Sequence, residues 1–244
     1  MFTPLPTHAV TLTAASPDPS PDPPPEPPSG REQDAAARLA QLADALADVV
    51  PVHVTAASDL TGAPDAPVAG TGGAAAVVTP RTPAEVAYVV RAAREHGVPV
   101  AVPAGAHGAP VFDGALLVAT AGLDHLTILP VLARAHVGPG VRWDELVAAA
   151  ASFGLAPVAA RSPVEVAGEL VGTGQRAAAG AAGPGADGVR ALDVVTADGV
   201  LRRATRTDDT ALFEALHAPG DDAAGGRTPG VVVAMELDLE ATVP

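Results

Sequence analysis

Two glycine-rich turns are the stretches of this sequence best suited to chemistry. The first, Pro103-Ala104-Gly105-Ala106-His107-Gly108, follows an apolar run and carries an imidazole. The second spans Gly168 to Gly174 and ends in Gly172-Thr173-Gly174, with Gln175 and Arg176 behind it. Glycine has no Cβ, so backbone N–H groups in such turns can approach an anionic group closely, a pyrophosphate above all. Taken alone, the second turn has a rival reading. Gly172 to Ala177 fits the G-x-G-x-x-A form of the dinucleotide fingerprint, with Asp193 about 20 residues on. That fingerprint requires a helix next, yet Gly180, Gly183, Pro184, Gly185 and Gly188 fill the place where it should lie. A Rossmann nicotinamide site is therefore disfavoured, and a P-loop is excluded because the chain has no Lys.

The remaining polar residues offer less. His96, His125 and His136 fall in separate elements without ligand spacing, so no metal site is expected. Asp113, Asp124 and Asp144 are explained by solvated turns and a helix N-terminus. Trp143 reads as a packing residue, and no Ser-His-Asp set has a supporting elbow motif.

The elements that must hold the turns are legible from periodicity. Leu39, Leu42, Leu46 and Val49 recur at helical spacing, and order is expected to begin near Asp34. Ala74 to Val78 reads as a strand. Thr82-Pro83-Ala84-Glu85 is a capping box with Pro at the first helical position, and Gly97 ends the helix that follows. Val98 to Val102 is the strand that delivers the first turn, and Ala115 to Ala119 is another. Thr127 to Val137 is read as extended, Trp143 to Phe153 as helical with Gly154 as its stop. Leu192 to Thr196 and Val200 to Ala204 flank an Asp198-Gly199 hairpin turn, and Asp209 to Leu216 is a short helix. Val231, Val233, Met235, Leu237 and Leu239 alternate as in a half-buried final strand.

Composition limits the partners. At 244 residues the chain has ample length for a buried core. Its formal charge of −14 with no Lys argues against nucleic acid and against an anionic membrane surface. No run reaches transmembrane length. With no Cys, disulfides and thiolate chemistry are excluded. Ten of the 26 prolines precede Arg31, so residues 1–33 are expected to be a disordered Pro/Asp-rich tail. No basic and apolar leader pattern is seen at the N-terminus, and a cytoplasmic protein is expected.

From about Pro51 onward the order of these features resembles the FAD-binding domain of the vanillyl-alcohol-oxidase and berberine-bridge-enzyme superfamily, the PCMH-type FAD domain. The residues that carry the resemblance are Val77 to Val86, Glu95 to Val102 before the first turn, Gly138-Pro139-Gly140 with Trp143 to Leu146, Asp193 to Gly199, Asp209 to Leu216, and Gly230-Val231-Val232. Several positions depart from the family pattern: Pro103 replaces an Arg, Ala106 replaces a Gly, and Gln175-Arg176 stands where Leu-Gly is usual. The segment Ala218 to Pro229 has gained acids.

The resemblance implies an α+β fold of two α/β subdomains clasping the cofactor. Residues 34–135 would hold a small, mainly parallel sheet and residues 136–244 a mainly antiparallel one. It implies FAD as cofactor, cradled by Ala104, Gly105, Ala106, His107 and Gly108, by Gly168, Gly172, Thr173, Gly174 and Gln175, and by Gly230 and Val232. The family's first-turn His is often bonded to the flavin, which by position makes His107 the candidate for a covalent link; a solvated loop histidine is the alternative. The implied function is a flavin-dependent oxidoreductase taking hydride from a small organic substrate. The family's further substrate domain, which supplies the catalytic base, is not found before Pro244, so no base is named and a separate substrate-domain protein is a candidate partner. The alternatives are a degenerate, non-catalytic flavin-fold module or half of a two-chain oxidase.

Overall fold

The computed structural model describes residues 30–56, 74–102, 114–158, 188–217 and 229–242. The first of these stretches opens with helix α1 (Gly30–Leu46), which starts four residues ahead of Asp34. Leu39, Leu42 and Leu46 are buried on one stripe of it, but Val49 lies past its end and is exposed, and Val50 takes the inward place. Strands β1 (Val52–Ala56) and β2 (Ala74–Val78) follow.

Helix α2 (Pro83–Glu95) begins where the capping residues put it. Thr82 Oγ1 accepts the Glu85 N–H at 3.2 Å, and the Glu85 carboxylate reaches back to the Arg81 N–H at 2.7 Å. Its inward stripe, Val86, Val89, Val90 and Ala93, is buried. Strand β3 (Val100–Ala101) is shorter than its apolar run, and β4 (Leu116–Val118) is buried throughout. A strand paired in parallel and covered on both faces reads as continuous apolar sequence, and β4 does.

The first sheet has the order β1-β2-β4-β3. Its β1–β2 pair is antiparallel, while β2–β4 and β3–β4 are parallel. After β4 a short 3-10 turn (Thr120–Gly122) carries the chain across to the second sheet.

The second sheet contains β5 (Leu126–Leu129), β6 (Arg134–Val137), β8 (Val189–Thr196), β9 (Leu201–Thr205) and β10 (Gly230–Ala241) in the order β5-β6-β10-β8-β9, with β7 (Leu155–Pro157) added to the end of β10. Every pairing in it is antiparallel. Helices α3 (Trp143–Ala151) and α4 (Thr210–His217) cover one face.

Three expectations are corrected. Thr127 to Val137 is not one extended run but the β5–β6 hairpin, turned by Pro130–Leu132 and by Ala133 at φ 48°. Pro cannot donate to a ladder, so its presence in the middle of the run marks the turn. That hairpin belongs to the second sheet, so the change of sheet falls at residues 119–125 rather than after 135. Finally, β10 is not half-buried with one apolar face. Val231 to Met235 are all buried, and the register with β8 slips between Val232 and Ala234.

That slip is a β-bulge, and it reverses which face odd-numbered residues occupy. Before it, Val231 and Val233 join a core shared with α1, α2, β2 and β4. After it, Met235, Leu237 and Leu239 join the other core with Trp143, Leu146 and Phe213. The bulge thus lets one strand serve two cores. Of the two apolar clusters, one on each side of the second sheet, the one holding Val195, Val231 and Val233 binds the two sheets together.

Candidate functional site

Ten of the twelve expected cofactor contacts, Ala104 to Gly108, Gly168 and Gly172 to Gln175, lie outside the described residues. The structure does place the elements on which the first of them hang. Val100 and Val102, the last apolar residues before the first turn, pack against the same core that receives Val195, Val231 and Val233. The strand that delivers His107 and the strand that opens with Gly230 therefore converge on one cluster.

The other two expected contacts are described. Gly230 opens β10 opposite Thr196, and a Cβ there would lie 2.5 Å from the Val195 carbonyl oxygen and 2.8 Å from Val194 Cγ1. Close approach to the neighbouring strand demands glycine here. Val232 turns its side chain into the α3-side core and is 8% exposed, so its backbone is the part left to meet a ligand. Gly138 and Gly140 have a packing role of the same kind. A Cβ on either would overlap the carbonyl of Leu123 or Ala121, because the crossover segment lies directly on them.

A polar network that sequence reasoning did not assemble occupies the same face of the second sheet as Val195. Asp193 is two residues from Val195 on β8 and so shares its face. Arg203 on β9 donates to Asp193 at 3.0 Å and to the Glu236 carboxylate on β10. Arg134 on β6 donates to Glu236 at 2.8 Å. His136, also on β6, places Nε2 3.4 Å from Asp193 Oδ2 and Nδ1 2.9 Å from His125 Nε2. The group is partly solvated, with side-chain exposure from 15% at Glu236 to 47% at Arg203, which keeps each ion pair modest in energy. Partial desolvation, then the neighbouring His136, push the His125 imidazole below its ordinary value, with Asp124 pulling the other way.

The sequence held one clue to this network. Reading Pro130 as a hairpin turn would have set His125 beside His136 across β5 and β6. Among the described residues, no three His, Asp or Glu side chains are arranged to hold a metal ion. No described helix is long and apolar enough to cross a membrane.

Within the described core no polar or charged side chain is buried. The Trp143 indole Nε1 is the buried side-chain polar atom there without a partner. Trp143 therefore packs, as its type and position predict, with one N–H uncompensated among the described residues.

The comparisons agree with this architecture. Residues 74–205, more than half of the chain, match the family model described as FAD binding domain. An FAD-dependent monooxygenase, tpcD, from Cochliobolus heterostrophus is 31% identical over 163 residues, covering 65% of this chain and 30% of its own. A second FAD-dependent monooxygenase, from Fusarium proliferatum, is 31% identical over 170 residues, covering 68% and 32%. Among solved structures, 6-hydroxy-D-nicotine oxidase from Arthrobacter nicotinovorans superposes with a TM-score of 0.54 at 26% identity, over 68% of this chain and 36% of that one. A berberine-bridge-enzyme-like protein from Physcomitrella patens gives 0.63 at 21% identity, over 86% and 45%. The two sheets and their order thus define a flavin-binding fold of the PCMH type. The chain belongs to the FAD binding domain family, and its cofactor is FAD. It spans about 30% of the length of the curated relatives it matches.

Proposed function

We propose that this protein is an FAD-dependent oxidoreductase acting on a small organic substrate. The observation that carries the reading is the family match over residues 74–205, laid on a fold in which β3 and β10 converge on one core. When bound, FAD accepts hydride from the substrate and passes the electrons to oxygen or another acceptor. The chain's own share is to bind and orient the cofactor. We assign the pyrophosphate to Ala104, Gly105, Ala106, His107 and Gly108 and to Gly168, Gly172, Thr173, Gly174 and Gln175, where bare backbone N–H groups suit an anion. Gly230 and the Val232 backbone take the flavin side. That the curated relatives are FAD-dependent monooxygenases supports catalysis and disfavours a non-catalytic module.

His107 is the residue we assign to a covalent flavin bond. The glucooligosaccharide oxidase of Acremonium strictum, with a TM-score of 0.59 at 21% identity, carries a 6-S-cysteinyl, 8α-N1-histidyl FAD. Only the histidyl half of such a link is open to a chain without Cys. In this reading the partners are the hydride donor and a substrate-binding domain, in the same protein or in a separate one. A cytoplasmic location goes with it, and cell fractionation tests that part.

The test of the main claim is the visible spectrum of the purified chain. Flavin absorbance, present as isolated or gained on adding FAD, is the expected result; a colourless protein that leaves added FAD unchanged overturns the reading. Colour that stays with acid-precipitated wild type and leaves His107→Ala locates the covalent bond.

A further inference from the structure

Among the described residues the chain passes from the first sheet to the second through residues 119–125, and backbone bonds hold that passage at both ends. The Ala119 N–H donates to the Val78 carbonyl at 2.8 Å. On the other side the Gly138 N–H donates to the His125 carbonyl at 2.7 Å and the Gly140 N–H to the Leu123 carbonyl at 3.1 Å. The imidazole of His125 adds a side-chain tie to the second sheet. Its ring meets that of His136 with centroids 4.6 Å apart and planes tilted by 58°.

The direction of each hydrogen bond in this chain follows from its far end. The Asp193 carboxylate already accepts from Arg203 and can only accept, so His136 donates to it from Nε2. A neutral His136 then has a lone pair on Nδ1, which accepts the N–H of His125 Nε2 across 2.9 Å. One added proton does no damage: His136 donates from both nitrogens, His125 Nε2 becomes the acceptor, and the bond survives reversed. A second proton leaves an N–H on each side of the same short gap, with no acceptor and two positive charges.

We propose that His125 and His136 form one proton-counting latch between the inter-sheet crossover and the second sheet, closed with no proton or one and opened by the second. The inference stands apart from the flavin reading, since it needs no cofactor.

The surrounding charges set where it opens. His136 faces Arg134 on its own strand, Asp193 on β8, Arg203 on β9 and Glu236 on β10, and each carboxylate there is engaged by a guanidinium. Asp124 stands beside His125. Partial burial and the His136 charge keep His125 below its ordinary value. The folded state therefore binds this proton more weakly than the unfolded one. The latch's contribution to stability is complete above the unfolded value, about 6.5, and is lost as pH falls below it.

The test is an imidazole nitrogen NMR titration of the full chain, with amide hydrogen exchange at Gly138 and Gly140 followed in parallel. In the wild type the two rings should titrate as a coupled pair, in two distinct steps. Protection at Gly138 and Gly140 should fall, by up to about tenfold per pH unit, as pH drops from about 6.5 to the lower step, and level off below it. In His125→Gln, which keeps an N–H donor but takes up no proton, His136 should titrate once and protection should be flat over that range. Two independent wild-type titrations near about 6.5 overturn the proposal. So does an equal loss of protection in His125→Gln. Should that variant fail to fold, the wild-type titration and exchange decide the matter alone.

Discussion

Single residues in this protein are constrained chiefly by how closely backbone passes backbone. Gly138 is the sharpest case, since a Cβ there would overlap the Leu123 carbonyl, which belongs to a segment pinned at both ends. Neither side can yield cheaply, so Gly138→Ala should cost about 2–3 kcal/mol in urea denaturation. A charged residue gives a second expectation. Asp198, in the β8–β9 turn, accepts first from the Thr196 hydroxyl, then from Arg202 and from the Val200 N–H, and its carboxyl is held down to about 2 from an ordinary 3.8. A lowered carboxyl binds its proton less readily when folded. Its stabilising effect is thus present above the ordinary value and lost as pH falls towards about 2. Asp198→Asn should flatten the dependence of Tm on pH between roughly pH 4 and pH 2 and nowhere else.

Elements are joined by contacts that cross between sheets. The Arg91 guanidinium, on α2, donates to the Gly199 carbonyl in the β8–β9 turn at 3.0 Å, and its stem lies against Gly199. This bond ties a helix of the first layer to a hairpin of the second. Arg91→Ala should cost about 1 kcal/mol, the ordinary net worth of a partly solvated hydrogen bond. Faster amide exchange in the β8–β9 turn, without change in β5 or β6, is the local sign of it. The β10 bulge belongs to this scale too. It moves Glu236 onto the face of Asp193 and Arg203, and without it that carboxylate would point into the α3-side core.

The described residues form two sheets with two cores, and the cofactor assigned to the chain binds the folded form only. Adding FAD should therefore raise Tm, by an amount equivalent to about 2.7 kcal/mol at a hundredfold excess over Kd. A thermal shift series in FAD checks this independently of turnover. A flat series would leave the fold standing and remove the cofactor from it. The shared core explains why such binding would stiffen both halves, since Val102 and Val231 report to the same cluster.

The features legible in the sequence are those that neighbours in the chain decide. The Thr82-Pro83-Ala84-Glu85 cap, the buried stripe of α2, the Asp198-Gly199 hairpin and the helix after Trp143 all follow from local hydrogen bonds and a period of 3.6 or 2. The order of those motifs also identified the family. What tertiary structure alone decided lies in register. The slip after Val232, the turning of Thr127 to Val137 into a hairpin and the meeting of His125, His136 and Asp193 depend on which strand lies alongside. Pairing partners are chosen by burial across the whole chain, and a one-residue shift reverses every face. The glycines of Gly138-Pro139-Gly140 show both halves of this. The sequence marked them as a motif, and only the crossover lying on their backbone supplied the reason.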